Sequence, residues 1–129
     1  MLGDIAVTGT RGWRIDNDGM GRSPTDAEES SGSGSDKILR RELGYLESGL
    51  KSIPESAKMK IVMLHYPPFD EHLQPDAFAE LLVKYSVDVL VYGHVHLGCG
   101  SWLNGDVQGV QYHIVSADVV DFTPQVVVP

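Results

Sequence analysis

Two apolar segments that each end in histidine do most to restrict how this chain can fold. Residues 60–65 read Lys-Ile-Val-Met-Leu-His. Residues 87–92 read Val-Asp-Val-Leu-Val-Tyr and run into Gly93-His94-Val95-His96. Near-continuous apolar runs of this length are typical of strands buried on both faces, as in parallel sheets. Between them, residues 75–85 carry Phe78, Leu81 and Leu82 at helical spacing, with Pro75 near the first turn. Strand, helix and strand make a βαβ unit, long enough for a parallel crossover, and such crossovers are right-handed. Both strands then end at one carboxyl edge, where open α/β sheets bind their ligands.

The remaining segments fit a mixed sheet. Ile5 to Gly9 is short, apolar and β-branched, which predicts a strand. From Asp36 onward, Ile38, Leu39, Leu43, Leu46 and Leu50 approximate one apolar stripe, with Arg40, Arg41, Glu42 and Lys51 mainly toward solvent. Ser35 or Asp36 is the expected N-cap, and Pro54 closes the segment. Residues 109–116 partly alternate and predict another strand; residues 124–128 predict a short terminal one. The stretch from about 16 to 35 is rich in Gly, Ser and acidic residues, which predicts a flexible surface loop. Its Ser-Gly alternation is also the composition of an engineered linker. The expected fold class is therefore α/β: a mixed β-sheet with two main helices, in a single domain over residues 1–129.

Composition narrows the classes of partner. At 129 residues and 42% hydrophobic content, one domain can bury a core without staples. A formal net charge of −8 opposes phosphate neutralisation, so no nucleic acid is expected as a partner. A small phosphate ester stays compatible, because bound divalent cations invert the local field. No apolar run approaches the ~20 residues of a membrane span, and the first residues carry no secretory pattern. Cys99 is the sole cysteine, so no intrachain disulfide can form. The expectation is a cytoplasmic protein with no membrane contact.

The histidines carry the chemistry. His65 ends the first apolar run, and His94 and His96 follow the second. In extended chain, positions i and i+2 face one side, so His94 and His96 are expected to aim at one place. Neighbouring strands ~4.8 Å apart would bring His65 to the same place. Imidazole is mostly neutral near pH 7 and able to ligate a metal. His65, His94 and His96 are thus candidate metal ligands. Gly93 removes a side chain where the strand enters the site, and Pro67 and Pro68 stiffen the exit from His65. A lone histidine ending a strand is more often structural, and His72 and His113 are read that way.

His65-Tyr66-Pro67-Pro68 resembles the histidine-plus-prolines motif of calcineurin-like metallophosphoesterases, and Gly93-His94-Val95-His96 resembles their Gly-His-x-His motif. The strand at Tyr112 to Ser116 agrees with that family. Gly9-Thr10-Arg11-Gly12-Trp13 is similar to a segment of a bacterial phosphohydrolase branch, where it follows the first half of the fold. The resemblance covers nearly the whole chain and is weakest across residues 16–35. It implies the C-terminal half of an αββα sandwich with metal-dependent phosphoester hydrolase activity. It also implies that His65 and His94 bind one ion of a dinuclear Mn, Fe or Zn centre and that His96 binds the other. In such centres a metal-bridging hydroxide attacks phosphorus.

The family's first-half motifs (Asp-x-His, Gly-Asp with the bridging aspartate, and Gly-Asn-His followed by an acid) are not found in this sequence. Gly3-Asp4 lacks the expected context, and Asp4 is given no metal role. Three imidazoles bring no negative charge, and two dications ~4 Å apart repel. The expectation is no stable dinuclear centre in one chain, hence a hydrolase incomplete or inactive in isolation. A phosphate-ester small molecule is its substrate class, and a homodimer or a complementing N-terminal half its partner. The rival readings are a non-catalytic folded fragment or interaction module with residual metal-binding histidines, and a mononuclear metal protein. Arg11 is a candidate phosphate contact, weighed evenly against a turn or surface arginine. Trp13 and Trp102 are read as packing residues, Asp118 and Asp121 as turn residues rather than histidine partners, and Cys99 as structural.

Overall fold

A computed structural model of the chain describes residues 1–14 and 33–129. The elements are β1 (Ile5–Thr10), α1 (Ser33–Lys51), β2 (Met59–Leu64), α2 (Ala77–Lys84), β3 (Val89–Tyr92), β4 (Gly105–Val107) and β5 (Val110–Ile114). They form one five-stranded sheet in the order β1-β2-β3-β5-β4. The first four strands in that order are parallel, and β4 runs antiparallel to β5. This is the mixed α/β sheet with two helices that the pattern of apolar runs predicts. It is consistent with a fragment of a metallophosphoesterase-type fold.

The βαβ unit is present as β2–α2–β3. Leu64 and Tyr92 are paired, so the two histidine segments leave the sheet side by side. Helix α2 is shorter than the predicted 75–85. Asp76 caps it by accepting from the backbone N–H groups of Phe78 and Ala79 at 2.8 and 3.3 Å. Pro75 stays outside the helix and bridges to Phe69.

Four expectations need correction. Of the loop read at 16–35, residues 16–32 lie outside the described residues, whereas Ser33 already begins α1. Ser35 sits in that first turn and accepts from the Trp13 indole N–H at 3.1 Å. Glu42, read as solvent-facing, is only 5% exposed and accepts from the Thr10 hydroxyl at 2.5 Å. Its position explains this: residues 38, 42 and 46 follow at i, i+4 spacing along the buried stripe. Residues 124–128 form no strand; Val127 and Val128 pack instead on the face of the sheet at Ile61, Val89 and Val91. Strand β4 itself has no counterpart in the sequence reading. It joins β5 through a two-residue turn at Gln108 and Gly109, both at positive φ as a type I′ hairpin requires.

Both helices lie on one face of the sheet. Leu46, Phe78 and Leu82 meet Val62, Leu90, Tyr92 and Tyr112 there to form the main core. The opposite face carries Ile61, Val89 and Val91, with Val127 and Val128 of the C-terminal segment packed on them. That cover is partial: Val7 of β1 and Met63 of β2 are 41% and 53% exposed. Parallel strands are ordinarily covered on both faces.

Candidate metal centre

The site lies at the carboxyl edge of β1, β2 and β3. After β1 the chain turns back so that the Arg11 carbonyl accepts from both the His65 and Tyr66 N–H groups, at 3.1 and 3.0 Å. Gly12 makes this turn at φ 74, a backbone region that favours glycine. Tyr66 is 5% exposed and is ringed by aromatics. Trp13 meets it edge-on at 5.6 Å, His65 edge-on at 4.8 Å, and His94 lies tilted against it at 4.5 Å.

After β3 the extended backbone ends at once. The Val95 N–H donates to the Gly93 carbonyl at 2.8 Å, around His94 at φ 68. This is the positive-φ γ-turn, the rarer and more strained form. It overturns the assumption that His94 and His96 lie in extended chain and share a side. His94 is re-aimed toward β2, and its Nδ1 lies 3.1 Å from His65 Nε2. His96 instead places its Nδ1 2.9 Å from Asp118 Oδ1, while Asp118 Oδ2 accepts from the Leu97 N–H at 3.0 Å.

A carboxylate can only accept, so the proton of His96 belongs on Nδ1 and the Nε2 lone pair points away. The hydrogen bond from His96 holds the Asp118 carboxyl below its ordinary range, and the Leu97 N–H adds to this. The structure thus brings His65 and His94 together and sets His96 on a separate partner. Among the described residues, no three His, Cys, Asp or Glu side chains gather where they could hold one ion.

The other candidates are placed as follows. Arg11 is exposed at the same edge, its guanidinium 4.8 Å over the Trp13 ring. Trp13 is buried and Trp102 packs against the main core, so both are packing residues. Asp4 lies at the opposite edge, paired with Lys58 at 2.6 Å. His72 is exposed beside Glu71 at 3.5 Å, and His113 is half-buried in β5. Cys99 is exposed, and Asp121 is a turn residue at φ 51. Sequence reasoning passed over Asp118 as a histidine partner and said nothing of Tyr66. Residue type carried no signal for Tyr66, because neighbours in extended chain face opposite sides and only the turn after β2 brings its ring against His65.

The sequence model of the calcineurin-like phosphoesterases matches residues 4–98, well over half of the chain, and the chain belongs to that family. The matched span holds both histidine motifs and the segment 9–13. No curated protein matches the chain. Membership suggests metal-dependent phosphoester hydrolysis, and the family typically uses divalent metal ions. The residues present fit such an ion in part. Two imidazole nitrogens 3.1 Å apart are spaced as two donors on one ion with metal–nitrogen bonds of ~2.0–2.1 Å. Protein-bound zinc ordinarily takes about four donors, so the pair is a partial site.

Proposed function

We propose that this chain carries part of the metal centre of a phosphoester hydrolase, with His65 and His94 on one divalent ion (Mn, Fe or Zn) and His96 on a second. The observation that carries this reading is the 3.1 Å approach of His65 and His94 from neighbouring parallel strands at the carboxyl edge. Bound divalent ions would supply an activated water at neutral pH and neutralise the phosphate oxygens. The chain's own residues orient this chemistry. Asp118 holds the proton of His96 on Nδ1, which leaves Nε2 as the donor. Arg11 stands at the same edge to pair with phosphate oxygens, for which a guanidinium fork is suited.

Donors beyond the described residues are needed to complete the centre. We place them on a further polypeptide layer over the exposed Val7 and Met63, either a second copy or a complementing N-terminal half. The described chain by itself then turns over no phosphoester. The substrate is a small phosphate ester. Metal content per chain, measured on protein purified without chelator, tests this together with bis-p-nitrophenyl phosphate turnover. Bound metal with turnover on assembly is expected; a folded, assembled sample with neither would sink the reading.

A second reading is a non-catalytic interaction module with residual histidines. What favours it is that, among the described residues, no three His, Cys, Asp or Glu side chains gather where they could hold one ion. It expects no metal retained and no change in assembly on His94→Ala.

A further inference from the structure

We infer that Tyr66 is a positioning residue: it is the buried ring against which His65 and His94 are both set so that their nitrogens meet. The inference rests on the metal-site reading above for its purpose, but its geometry stands on the chain alone. His65 is exposed at the end of a strand, and His94 is only half-buried on a turn of two hydrogen-bonded neighbours. What they share is Tyr66, at 4.8 Å from one centroid and 4.5 Å from the other. The two contacts differ in kind, 83° edge-on for His65 and 47° tilted for His94. A ring pair in edge-on or offset geometry prefers that orientation over sliding freely. Together the two contacts fix the angle at which the imidazoles approach.

Tyr66 in turn is fixed by the segment that follows β1. Its N–H and that of His65 share the Arg11 carbonyl. Gly12 turns the chain beside it at φ 74, where a Cβ would be in ordinary contact with the Tyr66 carbonyl at 3.4 Å. Trp13 closes the far side of the ring and is tied to α1 through Ser35. None of these contacts reaches an imidazole. The segment 11–13 therefore acts on the His65 backbone directly and on the two imidazole rings through Tyr66, which is a use for this part of the chain beyond the candidate phosphate contact of Arg11.

The test compares the full chain with Tyr66→Phe and Tyr66→Leu, and with Tyr66→Met should the leucine variant fail to fold. The first measurement needs no metal: ring-to-ring proton NOEs between His65 and His94. They are expected in the parent and in Tyr66→Phe, which keeps the ring, and lost in the aliphatic variants while far-UV circular dichroism stays unchanged. The second is Co2+ affinity from its visible absorption, expected within twofold of the parent for phenylalanine and at least tenfold weaker for leucine or methionine. A purely structural tyrosine would lower the melting temperature and leave both readouts of the folded protein alone. Persistence of the NOEs in a folded aliphatic variant overturns the inference, as does equal loss in Tyr66→Phe. A parent chain that shows the NOEs but binds no Co2+ overturns the metal-site reading and leaves the positioning intact.

Discussion

His96 Nδ1 lies 2.9 Å from Asp118 Oδ1, and the second oxygen of the same carboxylate accepts from the Leu97 N–H. Each oxygen thus engages the stretch 96–97, and Oδ1 also accepts from the Val119 N–H at 3.0 Å. A carboxylate placed behind a ligating histidine fixes its tautomer and ring orientation, and losing one typically costs 10–100-fold in metal affinity. Asp118→Ala should weaken binding of a divalent ion at His96 by about that factor. Calorimetric titration of the assembled protein checks this, with the melting temperature as a control for folding. Unchanged affinity would return Asp118 to the role of a turn residue.

Asp76 gives the chain a pH dependence of unusual sign. Burial pushes its carboxyl up to about 6, against the opposing pull of the Phe78 and Ala79 N–H groups. Its ordinary value is 3.8, so between roughly pH 4 and 6 the folded chain binds more protons than the unfolded one. Stability from this group is therefore highest below that window and falls as pH rises through it, by at most about 3 kcal/mol. Glu47 works the other way. Hydrogen bonds from Lys84 and Tyr85 hold it down at about 2, so its contribution is present above pH 4.5 and lost as pH falls toward 2. Asp76→Asn keeps a good capping oxygen. It should flatten the urea midpoint between pH 4 and 6 and raise it at pH 7; an unaltered slope would dismiss the assignment.

At position 94 the usual ranking of alanine over glycine should reverse. Both His94→Ala and His94→Gly remove the ring, but only glycine occupies φ 68 without steric cost. Non-glycine residues in such regions carry of order 1–3 kcal/mol of strain. The glycine variant should therefore exceed the alanine variant by about 1 kcal/mol or more. Chemical denaturation of the pair decides it, and alanine equal or better would remove the strain argument.

Two glycines should respond oppositely to alanine. A Cβ on Gly9 would stand 2.2 Å from the Met63 carbonyl oxygen, inside the β1–β2 pairing. Gly9→Ala should cost about 1–3 kcal/mol, in the range of other overpacked sites. Gly44, in mid-α1, has open space around it. There Gly→Ala should add up to about 1 kcal/mol through helix propensity. Thermal melts of the two variants make the comparison, and a shared sign would contradict it.

The β2–α2–β3 unit was legible because long apolar runs, unlike short ones, leave few alternatives. Its consequence, His65 beside His94, follows from adjacency of the two strands. What escaped notice depended on backbone conformations that residue type does not announce. A γ-turn centred on a histidine and a hairpin with Gln108 at φ 54 both place a side-chain-bearing residue where glycine is usual. Strand β4 has three residues, two of them Gly105 and Asp106, which are poor strand formers. Glu42 was misread because polarity was weighed above its place on the stripe. The link from His96 to Asp118 needs β3 and β5 to be neighbours, and strand order is a long-range property.

The order of pairing along the sheet also sets the order in which it comes apart. β2, α2 and β3 follow one another directly in the chain, whereas β1 meets β2 only after roughly 50 intervening residues, which carries the larger closure entropy. β1 is also an edge strand, held by one neighbour. The part of the molecule that clasps Tyr66 therefore depends on the least local strand pairing of the sheet. Its amides should exchange with solvent through openings that leave the β2–β3 ladder shut. The histidine edge is built on one consecutive stretch of the chain and braced by a strand that joins it from far away in sequence.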